Sequence, residues 1–164
     1  MPVVNFHEEL TIESITSLIE RLEAVESEEF CDLYFSSCGG TACSMEMLLD
    51  YLAKNNHWTL IAVADFSSAA FIIFSRYKGN KYFTRQANAL IHLLSYSENT
   101  RERLIDGENH KRATINLKQD NLELIEMLHK IELPVKLINK VKKGGDVRIY
   151  YEDLIKLKWE ALYE

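Results

Sequence analysis

The chain has 164 residues, 47% of them hydrophobic and 27% charged, which suits one domain with a substantial core. Its net charge of −6 argues against a nucleic-acid or anionic-membrane partner. No apolar run approaches a bilayer span, and the first residues lack the basic and apolar regions of a signal peptide, so a cytoplasmic location is expected.

Pro2 to Phe6 reads as a short opening strand. Thr11 has the chemistry of a helix N-cap, with Glu13 in the first turn to suit the dipole. Ile12, Ile15, Leu18, Ile19, Leu22 and Val25 then keep helical spacing. Cys31 to Phe35 forms a second strand that runs into Ser36-Ser37-Cys38-Gly39-Gly40. Met45, Leu48, Leu49 and Leu52 mark a second helix, which stops near Asn55-Asn56. The apolar run from Leu60 to Ala64 has the length and β-branched content of a buried strand. Ala69 to Phe74 comes next as a helix, Lys78-Gly79-Asn80 as a turn, and Lys81 to Thr84 as a short strand. Alternating strands and helices call for a parallel sheet with crossover helices, hence an α/β fold.

Beyond His92 the organisation changes. Ser95 to Asn109 is polar, and Ala113 to Leu117 alternates in the manner of a strand. Leu122, Ile125, Leu128 and Ile131 predict a helix, and Pro134 starts another that Gly144-Gly145 ends. Asp146 precedes the short run Val147 to Tyr150, and a last helix is expected through Leu154, Ile155, Leu157, Trp159 and Leu162. The basic cluster Lys136 to Lys143 reads as a solvated helix face. Cys31, Cys38 and Cys43 fit neither a disulfide framework nor a metal knuckle, and they read as reduced residues. His7, His57, His110 and His129 read as exposed or rim positions.

Chemistry gathers on the carboxyl edge of a parallel sheet, where the alternation places both Gly39-Gly40 and Ser67. Ser67 and Ser68 stand at a strand-to-helix turn, which can hold a hydroxyl outward beside free backbone N–H groups. His92 closes the run Ala89-Leu90-Ile91 and supplies an imidazole, the second part a serine nucleophile needs. A plain N-cap is the alternative role for Ser67. Asp65, two residues before it, can engage the site with its own hydrogen bonds or serve as a catalytic acid. Cys38 is a further, weaker candidate for a nucleophile.

These residues resemble the proteolytic subunit of the Clp protease, over nearly the whole chain from about Val3 to Trp159. The family's Asn-Ser-Pro-Gly-Gly pattern falls on Ser36-Ser37-Cys38-Gly39-Gly40, and its Gly-x-Ala-Ala-Ser-x-x-Ala falls on Val63 to Ala70. From the serine to the family's Met-Ile-His the register holds without a gap onto Leu90-Ile91-His92. Asp146, ahead of Tyr151-Glu152-Asp153-Leu154, matches the family's catalytic Asp. The sequence departs from the pattern at Val63 and Asp65, where the family has small residues, at Thr84-Arg85 and Leu93-Leu94, where it has prolines, and at Lys158.

The resemblance implies one domain spanning residues 1–164, a spiral of β-α units of the Clp and crotonase kind with an inserted handle region at about 95–130. It implies a serine endopeptidase in which Ser67 attacks the peptide carbonyl, His92 transfers the proton and Asp146 orients the imidazole. The backbone N–H groups of Gly40 and Ser68 would form the oxyanion hole, with no metal or organic cofactor. The implied partners are further copies of the chain in a ring, stacked or single, and a peptide or unfolded protein as substrate. An unfoldase ATPase would be a further partner, although little sequence precedes Val3, where the family carries axial segments. A second reading, favoured by the departures, is a catalytically inactive homologue that serves assembly or partner binding. A third, an acyl-CoA enzyme of the crotonase fold, leaves the aligned serine and histidine unexplained.

Overall fold

The computed structural model describes residues 2–25, 31–55, 57–95 and 107–159, the first four residues of the last stretch by their backbone alone. Strand β1 (Val3–His7) alternates exposed and buried side chains, the period of a strand with one covered face. Helix α1 (Ile12–Glu23) starts at Thr11, whose Oγ1 accepts from Ser14 N while Ser14 Oγ accepts from Thr11 N. That is a capping box with serine at its third position. Ile15, Leu18 and Leu22 form its buried stripe, whereas Ile12 is exposed. Strand β2 (Cys31–Ser37), helix α2 (Ala42–Lys54) and strand β3 (Trp58–Phe66) repeat the unit, and Thr41 caps α2 through its hydroxyl.

Helix α3 (Ala69–Arg76), strand β4 (Lys81–Phe83) and strand β5 (Asn88–Ile91) come next. Helices α4 (Gly107–Lys130) and α5 (Val135–Lys142), strand β6 (Val147–Tyr150) and the single turn α6 (Tyr151–Leu154) complete the described elements. The sheet runs in the order β1-β2-β3-β5-β6, with β4 also on β3. β1 and β2, β2 and β3, β3 and β4, and β3 and β5 all pair in parallel. The fold is therefore α/β with a mostly parallel sheet.

Two features of β3 shape the turn at its end. Its first half pairs with β4, from Leu60 with Lys81 to Ala62 with Phe83, and its far end pairs with β5 through Asp65 and Asn88. Against β2 its register jumps, with Phe35 opposite Ala62 but Ser37 opposite Phe66. β3 thus bulges over Val63-Ala64-Asp65, immediately before the serines, and a bulge re-aims whatever comes next.

The chain divides into two compact units, one of residues 1–91 and 148–164 and one of residues 92–147. In the first, Trp159 meets Phe71, Phe74 and Phe83 edge-on and donates from Nε1 to Leu154 O at 3.1 Å. Removing such a buried aromatic costs about 3–5 kcal/mol. In the second, Leu124, Leu128, Ile131, Leu133, Ile138 and Val141 are buried, and Gly144 leaves α5 at φ +79. Lys136, Lys140, Lys142 and Lys143 are exposed, as a solvated face requires.

Two expectations fail. Ala113 to Leu117 is not a strand but lies inside α4. Its apolar ends are four residues apart, a spacing that serves a helix as well, and the helix continues past them to Lys130. The last helix is one turn that ends at Leu154, so Ile155, Leu157 and Trp159 are not carried on it, and Leu162 lies outside the described residues. Of the polar stretch from Ser95 to Asn109, residues 96–106 also lie outside them.

The far end of α3 is tied by two buried polar groups. Lys81, fully buried, donates from Nζ to the carbonyls of Phe74, Ser75 and Tyr77 at 3.0, 3.3 and 2.7 Å, where a helix C-terminus favours a cation. Tyr77 donates from its hydroxyl to Trp58 O, and burial pushes its pKa up from 10.0 to about 12. The folded state therefore holds the neutral phenol. This contribution is complete below the unfolded value and is lost as pH rises through the window between 10.0 and about 12. Chemical denaturation at stepped pH should show the parent losing stability relative to Tyr77→Phe across that window, whereas parallel curves would exclude the linkage.

Candidate functional site

Because the strands are parallel, the segments after β1, β2 and β3 leave from one edge of the sheet. Leu10, after β1, donates from N to Gly39 O at 2.8 Å and accepts from Thr41 N at 3.0 Å. Gly40 approaches it so closely that a Cβ there would lie 2.1 Å from Leu10 O. Gly39 has φ +106, and a Cβ there would lie 2.6 Å from Ser68 Cβ and 3.1 Å from Ser68 Oγ. The two glycines thus let the turn after β2 lie directly against the turn after β3.

That second turn is fastened from both sides. Ser67 N donates to Ser37 O in β2 at 2.9 Å, and Ser68 N donates to Leu90 O in β5 at 2.8 Å. Leu90 N in turn donates to Ser67 Oγ at 2.7 Å. Ser67 is only 3% exposed, and its hydroxyl donates to Asp65 Oδ1. Ser36 Oγ holds the Asp65 backbone by donating to its carbonyl at 3.0 Å.

Ser68 stands as the N-cap of α3 with φ 55 and ψ −124, and its side chain makes no capping bond. Serine seldom adopts that backbone conformation. Ser68 is half-buried, whereas Ser67 is buried. Among the described residues, the N–H groups of Gly40 and Ala69 donate to no protein oxygen.

The remaining expected site residues belong to the second unit. His92 is half-buried, and its Nδ1 lies 2.7 Å from Leu93 O. A carbonyl oxygen only accepts, so Nδ1 carries a hydrogen, and in a neutral ring Nε2 is then the nitrogen with the lone pair. Asp146 is exposed in the turn between α5 and β6. Among the described residues, His92 Nδ1 therefore bonds to Leu93 O and not to Asp146.

The geometry brings Ser67, Ser68, Asp65, Gly39 and Gly40 together. Asp65 holds the Ser67 hydroxyl, and the Ser68 N–H, expected as an oxyanion donor, is engaged by Leu90 O. Sequence reasoning missed Leu90, which acts through backbone groups that any residue would carry, and Ser37, whose carbonyl accepts from Ser67 N and whose Oγ accepts from Gly39 N. Cys38 and Cys43 are exposed free thiols and Cys31 is buried, with no group of three metal-ligating side chains among the described residues. No helix among them is long and apolar enough to cross a membrane. A separate cavity of about 450 Å³ opens at the other end of α3, between Leu49, Ala53, Arg76 and Tyr77 to Asn80.

No protein-family model matches the chain, and no curated protein matches it.

Alanine at Gly39 would collide with Ser68 and would have to hold φ +106. Gly39→Ala is expected to cost about 1–3 kcal/mol of stability from the backbone alone. A urea midpoint unchanged from the parent would mean that the two turns are not pressed together.

Proposed function

We propose that this chain is a serine-type endopeptidase of the Clp proteolytic-subunit kind, a spiral of β-α units that hydrolyses peptide bonds inside a ring of its own copies. The single observation that carries the reading is the apposition of the Gly39-Gly40 turn to the strained Ser67-Ser68 turn on the carboxyl edge of the sheet. Acyl transfer needs those parts: a hydroxyl held outward and backbone N–H groups for the charge that develops on the carbonyl oxygen.

In this mechanism a serine of the turn attacks the peptide carbonyl carbon. The carbonyl electron pair moves to oxygen, and His92 takes the hydroxyl proton at Nε2, the nitrogen its Leu93 contact leaves free. Collapse breaks the C–N bond, and the amine departs with that proton. Water then hydrolyses the ester by the same route. Asp146 would stabilise the imidazolium in the working state, taking over from the Leu93 carbonyl.

The ring is the second part of the proposal. Helix α4 falls in the expected handle region and exposes Ile115 at 65% and Leu122 at 60%, two turns apart on one face. Stacking of copies through α4 would cover them, and a peptide or unfolded protein would be the substrate.

An inactive homologue serving assembly is the competing reading, and one observation favours it: the Ser67 hydroxyl is already engaged by both Asp65 and Leu90.

Purified protein should cleave members of a fluorogenic peptide library, with turnover falling at least about a hundredfold in His92→Ala. A folded parent that cleaves none of them would leave the assembly reading. In sedimentation, the Ile115→Asp, Leu122→Asp variant should be smaller than the parent while keeping its helical content. Equal sedimentation would remove α4 from the assembly.

A further inference from the structure

We propose that the nucleophile of this site is Ser68, with Ser67 as a positioning residue and the Gly40 and Ala69 N–H groups as the oxyanion donors. The inference rests on the serine-hydrolase reading and reassigns which hydroxyl performs it. A nucleophilic hydroxyl must offer its proton to a base and a lone pair to the acyl carbon. Ser67 is badly placed for both: its proton is held by Asp65 Oδ1 and not by the imidazole, one of its two lone pairs receives Leu90 N, and only 3% of it is exposed to an incoming acyl carbon. The Ser68 hydroxyl makes no hydrogen bond among the described residues and is half-buried beside Gly39.

The other hydroxyl-bearing N-caps provide an internal control. Thr11 at φ −108, ψ 166 and Thr41 at φ −80, ψ 149 are extended, and each accepts from the N–H three residues on. Ser68 forgoes that bond and holds φ 55, ψ −124. Capping would have bound the hydroxyl to the helix end, whereas here it makes no such bond and lies beside Gly39. The bonds from Ser67 N to Ser37 O and from Ser68 N to Leu90 O hold the conformation in place.

The amides point the same way. With Ser67 as nucleophile, the next residue's N–H is that of Ser68, already committed to Leu90 O. With Ser68 as nucleophile it is that of Ala69, which is uncommitted among the described residues, as is Gly40 N–H. Asp65 then fixes Ser67, so that Ser67 Oγ can hold Leu90 and Leu90 can hold Ser68.

A fluorophosphonate probe tests the assignment. The Ser68 Oγ–P bond forms, the P–F bond breaks, and fluoride leaves with the hydroxyl proton passing to the base. The parent should carry the tag, mapped by fragment mass spectrometry to Ser68, a measurement that needs no variant. Ser68→Gly should abolish labelling, by at least about a hundredfold. It should also raise the melting temperature, because glycine holds φ 55 without strain. Ser67→Ala should keep the tag at Ser68 with slower labelling. A tag mapped to Ser67, lost in Ser67→Ala and kept in Ser68→Gly, overturns this assignment and leaves the hydrolase reading standing. A folded parent that takes no tag overturns both.

Discussion

Leu90 gives both of its backbone groups to one turn. Its N–H bonds to Ser67 Oγ and its carbonyl receives Ser68 N, while Ser37 O receives Ser67 N from the opposite side. Each such bond is worth only about 1 kcal/mol net, yet together they hold a serine backbone in a conformation that costs a similar amount or more. The arrangement requires β5 to sit beside the last residues of β3. It does so because β4, which flanks the first half of β3, stops at Phe83 and leaves that edge open.

The bulge in β3 serves the same end from inside the strand. Between Ala62 and Phe66 the chain takes two residues more than β2 spends between Phe35 and Ser37. The slack lets the strand turn out of the sheet where Ser37 O waits for Ser67 N. The Gly39-Gly40 turn lies against Ser68 on one side and is held against Leu10 by two backbone hydrogen bonds on the other. Three successive strand ends thereby reach one place, a consequence of parallel pairing that an antiparallel meander would not provide.

Much of this architecture was legible from residue types. The apolar spacing from Ile15 to Leu22 gave the first helix its buried face, Thr11 its start, and Asn55 the end of the second helix. Gly39-Gly40 and the serines fell after successive strands, which was enough to put them on one edge. Ala113 to Leu117 misled because five residues of alternation carry too little period to tell a strand from a long helix. The contact of Asp65 with Ser67 joins the end of β3 to the turn that follows it, where the bulge and not a regular strand period sets the side-chain directions. The inversion at Ser68 cannot be read from its type, since Ser67 has the same chemistry one position earlier. Tertiary bonds to Ser37 and Leu90 chose between them, and backbone groups leave no mark in a sequence.

The aromatic seal over α3 is made by a residue that comes after the entire second unit in the chain. Phe71, Phe74 and Phe83 leave the ribosome well before Trp159 does, so during synthesis this patch waits uncovered while residues 92–147 are added. The serine turn at the head of α3 is thus made early and secured late. A nascent chain can hold every residue of the candidate site and still lack the packing that steadies the helix behind it.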